Sequence, residues 1–61
     1  MGDYRLYFLD AMDHVRRAEV IDAASDDHAI AQAEAAPHDH AKELWQGTRL
    51  VGRFDPGGVE A

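Results

Sequence analysis

The sequence predicts an α+β domain in the order β-β-α-β-β, a four-stranded antiparallel sheet with one helix packed on one face. Three observations predict it. Tyr4 to Asp10 and Val15 to Ala23 carry aromatic and β-branched side chains on either side of a short polar segment. Alanines and Ile30 recur at helical spacing between Ser25 and Pro37. Two further β-type runs, Lys42 to Gln46 and Arg49 to Phe54, meet at Gly47-Thr48.

Each element has local signals for its ends. Ala11-Met12-Asp13-His14 reads as a hairpin connection, with Asp10 and Asp13 as turn-favouring residues. Ser25 is a helix N-cap candidate, and Asp26 and Asp27 place carboxylates where the helix dipole is positive. Pro37 ends the helix, because proline disfavours the α conformation of the residue before it. His38-Asp39-His40 is then a linker. Asp55-Pro56-Gly57-Gly58 ends regular structure, so residues 1–55 form the single domain and 56–61 a frayed tail.

Length and charge bound the function. A chain of 61 residues is one domain, and a core of that size supplies only about 3–5 kcal/mol. It has no cysteine, which excludes disulfides and thiolate zinc sites. Good local packing, a partner or self-association remains as support, with self-association favoured. No apolar run approaches the ~20 residues needed to span a bilayer, and no apolar leader follows Met1-Gly2-Asp3. The expectation is a soluble, cytoplasmic protein without a membrane partner. Twelve acids against six bases give a net charge of −6, which disfavours nucleic acid as a partner. All six bases nevertheless fall in the strand segments.

A single short helix covers only one face of a four-stranded sheet. Strand alternation puts Leu6 and Phe8 beneath it, with Ala18, Val20, Ala29, Ile30 and Ala33. The other face then carries Arg5, Tyr7 and Leu9, with Val15, Arg17, Glu19 and Ile21. The last hairpin admits two registers. A two-residue turn groups Trp45 with Leu50 and Phe54, and a three-residue turn groups Leu44 with Leu50 and Phe54. Both put Val51 and Arg53 on the opposite face from Leu50 and Phe54. The uncovered face thus mixes aliphatic, aromatic and arginine side chains, the composition enriched at protein interfaces. The bland alternative is a half-solvated sheet with cross-strand Arg–Glu pairs, each contributing roughly 0.2–1 kcal/mol.

Other constellations are weaker. His28, His38 and His40 with Asp26, Asp27 and Asp39 invite a metal reading, but nothing in the spacing fixes a third ligand. His14, Asp13, Ser25 and Asp26 include triad residue types, yet turn and cap roles explain all four. No metal, cofactor or catalytic residue is expected, and the chain is read as non-enzymatic.

Tyr4-Arg5-Leu6-Tyr7-Phe8-Leu9-Asp10, Arg16-Arg17-Ala18-Glu19, Asp26-Asp27 before the alanine-rich helix, and Glu43 to Val51 resemble short single-domain proteobacterial proteins of unknown function, over residues 4–54. The first three elements also resemble the start of HicB-type antitoxins, in which a hairpin precedes an acidic-capped helix. The glycine-rich second strand and the appended DNA-binding segment of those antitoxins are missing, so no toxin partner is carried over.

The sequence therefore points to a non-catalytic interaction module. It would self-associate as a dimer through the uncovered sheet face or an edge strand, using Arg5, Tyr7, Leu9, Arg17, Val51 and Arg53, or it would bind another protein. The competing reading is a nucleic-acid or phosphate-ligand binder that uses strand arginines and aromatics.

Overall fold

A computed structural model describes residues 2–55. The expected tail, 56–61, lies outside the described residues. The elements are β1 Gly2–Leu9, β2 Val15–Ala23, α1 Asp26–Ala35, β3 Lys42–Gln46 and β4 Arg49–Phe54. They form one antiparallel sheet in the order β2-β1-β3-β4. Because β2 and β3 are both antiparallel to β1, they run in the same direction with β1 between them, and α1 makes the crossover. The architecture is the predicted α+β sheet with one helix against one face.

The turns follow from their residues. Asp10 Oδ1 accepts the backbone N–H groups of Met12 and His14 at 2.8 and 2.9 Å, so one carboxylate organises the whole β1–β2 loop. Asp13 adopts the left-handed region at φ 66°, which aspartate tolerates better than most residues. The β3–β4 hairpin closes with the two-residue turn: Gln46 pairs with Arg49, and Gly47 takes φ 62°.

Beneath the helix, the core uses the alternate residues Tyr4, Leu6 and Phe8 of β1 with Ile21, Ala23 and Leu44. Complete burial of a side chain such as Leu6, Phe8 or Leu44 contributes about 1.5–3 kcal/mol. From the helix only Ala29 and Ala33 are fully buried. Two methyl groups bring the helix backbone close to the sheet but supply little apolar area.

Polar ties at both helix ends make up the difference. At the N-terminus Ser25 caps His28 N–H, as expected. The buried Tyr4 hydroxyl donates to Asp26 Oδ1 at 2.7 Å, and Arg49 Nη2 donates to the same oxygen at 3.0 Å. Asp26 therefore joins β1 and β4 to the first helical turn. At the C-terminus Lys42, only 7% exposed, donates its Nζ to the Ala33 and Ala36 carbonyl oxygens. The Ala33 oxygen otherwise accepts only the cap N–H of Ala36 at 3.3 Å, and both carbonyls lie at the negative end of the helix dipole. Burial lowers the Lys42 ammonium pKa from its ordinary value, opposed by the Glu34 carboxylate.

Three expectations about side-chain placement are corrected. First, Phe8 pairs with Arg17, Leu6 with Glu19 and Tyr4 with Ile21, so Arg17, Glu19 and Ile21 share the helix side. Ala18 and Val20 take the uncovered side, and Val20 is 65% exposed. Second, Leu9 is 2% exposed. The linker wraps it, with Leu9 N–H donating to Ala41 O and His38 Nε2 donating to Leu9 O. Third, Leu44 pairs with Gly52 but Trp45 with Leu50, so Val51 is an extra, bulged residue. Val51 packs against the core and Leu50, opposite Trp45, stays outside; beyond the bulge Arg53 moves to the uncovered face and Phe54 to the helix side.

Two outcomes test these ties. Lys42→Met keeps the stem's bulk but removes the ammonium donor from the Ala33 and Ala36 carbonyls, leaving Ala33 O only the Ala36 N–H, and denaturant unfolding should show a loss of roughly 1–3 kcal/mol. Hydrogen bonds from Arg49, then Tyr4, hold the Asp26 carboxyl below its ordinary pKa. Its contribution to stability is present above the ordinary carboxylate range and is lost as pH falls through the depressed value. The acid limb of stability against pH should therefore be shallower in Asp26→Asn than in the native chain.

Candidate functional site

The sheet register builds the uncovered face row by row. Val20, Arg5, Trp45 and Leu50 are successive cross-strand partners on β2, β1, β3 and β4. Ala18, Tyr7, Glu43 and Arg53 form the next row in the same way. Paired residues on antiparallel strands share a face, so eight side chains project away from the helix in two parallel lines. Asp3 and Asp22 form a third row, at the edge of the patch.

The second row is tied together by charge. Glu43 accepts from Trp45 Nε1 at 3.1 Å through one oxygen, and from Arg53 Nη1 at 2.9 Å through the other. Arg53 also donates to Asp13 Oδ1 at 3.1 Å and lies 3.5 Å from Asp55. Three carboxylates thus surround one guanidinium, the Asp13 hydrogen bond chiefly raising its pKa. Asp13 belongs to the β1–β2 loop, so this cluster also fastens that loop to β4.

The first row is different. Among the described residues Arg5 makes no hydrogen bond or ion pair. Trp45 is half-buried between it and Leu50, which is 49% exposed. Asp3 and Asp22 stand directly opposite each other, a pairing of like charges that is unfavourable on its own.

Of the six residues expected on this face, Arg5, Tyr7 and Arg53 lie there. Arg17, Leu9 and Val51 do not. The structure adds Val20, Trp45, Glu43 and Leu50. Their signal was the apolar Val20-Ile21 and Leu50-Val51 doublets, in which only strand register decides which member faces out.

The remaining candidates are engaged in local structure. Ser25 is the helix cap, Asp26 bridges Tyr4 and Arg49, and His14 lies 3.8 Å from Asp10 within its own turn. The His38 and His40 ring centroids are 6.1 Å apart. Among the described residues no group of three or more histidine, aspartate or glutamate side chains could hold a metal ion, and no helix is long and apolar enough to cross a membrane.

In comparisons with known proteins, no family model, no curated protein and no solved structure matches the chain. The face is therefore read from its own geometry.

The Glu43 bridge gives a direct test of the second row. Glu43→Ala frees the Trp45 indole, so its fluorescence should shift to the red and become more accessible to a soluble quencher. The stability loss should stay near or below about 1 kcal/mol, because the Arg53–Glu43 pair is partly open to solvent.

Proposed function

We propose that the protein is a non-catalytic interaction module that self-associates through the uncovered sheet face. The carrying observation is the Val20–Arg5–Trp45–Leu50 row, which sets apolar side chains and an arginine in one line across all four strands. A sheet face turned permanently to water alternates more cleanly with polar residues. Burying Val20, Leu50 and the rest of Trp45 removes apolar surface from water at about 25 cal/mol per Å².

Charge favours a second copy as the occupant. The face carries one arginine without a partner among the described residues, Arg5, beside the opposed pair Asp3 and Asp22. Two such faces related by a two-fold axis can set each Arg5 against the partner's aspartates. That contact relieves both the unpaired cation and the like-charge row, and a two-fold interface is the commonest self-complementary arrangement.

Sedimentation at micromolar concentration should show a dimer. Val20→Asp with Leu50→Asp should return it to a monomer, and both positions are exposed enough for the fold to persist. A monomeric native protein ends this reading. If instead the face variants stay dimeric while Ala18→Pro dissociates them, the contact runs along the β2 edge.

A further inference from the structure

The helix covers the sheet incompletely, and beyond its C-terminus lies a cleft of about 420 Å³, lined by Phe8, Leu9, Asp10, Arg16, Arg17, His38, Asp39 and His40. Two adjacent arginines in a regular strand would point to opposite faces. Here Phe8 pairs with Arg17 and Leu9 with Val15, so Arg16 is an extra residue without an opposite number. A bulge of this kind redirects a side chain. Its consequence is that Arg16 and Arg17 both line one cleft.

The other wall is the linker after the helix. His38 and His40 alternate along it, so both rings reach the same cleft. His38 is fixed by its bond to Leu9 O at 2.7 Å and by an edge-to-face contact with Phe8, centroids 5.0 Å apart. The Arg17 guanidinium lies 4.0 Å from the Phe8 ring centroid and is bonded to Glu19 at 3.1 Å. Arg17 is therefore held in place, whereas Arg16 has no hydrogen bond or ion pair among the described residues.

We propose that this cleft binds a small phosphate-monoester ligand. Two permanently charged guanidinium groups on one wall can share the oxygens of a dianion, which a single carboxylate ligand would not require. The His40 imidazole can supply a further N–H donor from the opposite wall, while the His38 Nε2–H is already given to Leu9 O. Aromatic and aliphatic surface from Phe8 and Leu9 suits the organic part, and the volume falls within the range of small-molecule sites. Two carboxylates also line the cleft. Backbone N–H groups of its own turn hold Asp10 ionised, so the two guanidinium groups have to outweigh its charge, while Asp39 is exposed to solvent, which screens it. The chain's net charge of −6 opposes a long polyanion much more than one phosphate. This site lies on the opposite side of the sheet from Arg5 and does not depend on self-association.

The test is an NMR titration with phenyl phosphate and with inorganic phosphate, against sodium chloride at matched ionic strength. Saturable shifts are expected at Arg16, Arg17 and residues 38–40, with phenyl phosphate the tighter ligand. Arg16→Gln, which breaks no side-chain hydrogen bond or ion pair among the described residues, should weaken binding about tenfold. Arg5→Gln on the other face should leave it unchanged. Absence of saturable shifts, equal shifts with chloride, or an equal loss in Arg5→Gln overturns the proposal. A short single-stranded oligonucleotide that binds far more tightly than phenyl phosphate overturns the small-ligand assignment.

Discussion

Lys42 projects from the sheet to the end of α1 and hydrogen-bonds the Ala33 and Ala36 carbonyls, the first of which has only the cap N–H of Ala36 besides. A buried lysine in a chain with this little apolar core needs a physical reason, and the composition of the helix supplies one. Only Ala29 and Ala33 are fully buried from it, so hydrophobic area alone gives α1 a weak preference for one position on the sheet. The Lys42 bonds fix its C-terminus over β3, and the Tyr4–Asp26–Arg49 chain fixes its N-terminus between β1 and β4. A helix placed by two polar clasps can be narrow. That narrowness leaves one sheet face bare and exposes the end of the other.

Much of this was legible in the residues. The β-type runs, the Ser25 cap, the Pro37 stop and the Gly47-Thr48 turn each act over a few neighbouring positions, and local chemistry is what a single sequence displays best. Elements and fold class followed from them, though not the strand order β2-β1-β3-β4. Face assignment did not, because it depends on register, and one inserted residue reverses every position beyond it. Arg16 is such a residue in β2 and Val51 in β4. Neither position carries a glycine or proline to announce a bulge. Ile21 and Val20 are nearly equivalent hydrophobes, so their order gave no warning of which one faces the helix. Lys42 escaped notice for a related reason: a lysine in a strand usually reads as an edge or surface residue, and only the crossover brings the helix end above it.

The same bulges that obscured the register shape both proposed surfaces. The extra residue Val51 shifts the rest of β4 by one position, which brings Arg53 opposite Glu43 on the uncovered face and Phe54 opposite Lys42 on the helix side. Arg16 turns out of alternation and joins Arg17 beside Phe8. Bulges increase local twist and interrupt an exposed strand edge, which makes edge-to-edge aggregation harder. In this small sheet they serve that purpose while re-aiming particular side chains.

The arginines separate structural from interacting roles more sharply than composition does. Arg49 is committed to Asp26, Arg53 to Glu43, Asp13 and Asp55, and Arg17 to Glu19 and the Phe8 ring. Lys42 is committed to the helix. Among the described residues this leaves Arg5 and Arg16 without a hydrogen bond or ion pair, in a chain where acids outnumber bases by two to one. In so acidic a chain, guanidinium groups left unpaired by the fold remain available for contacts made from outside. One lies in the centre of the uncovered face and the other at the mouth of the cleft, on opposite sides of the same two strands. The fold thus presents two chemically distinct surfaces, a row of apolar side chains with Arg5, proposed to meet a second copy, and a recess of two arginines, two histidines and two aspartates, proposed for a small anion, with β1 and β2 as their common wall.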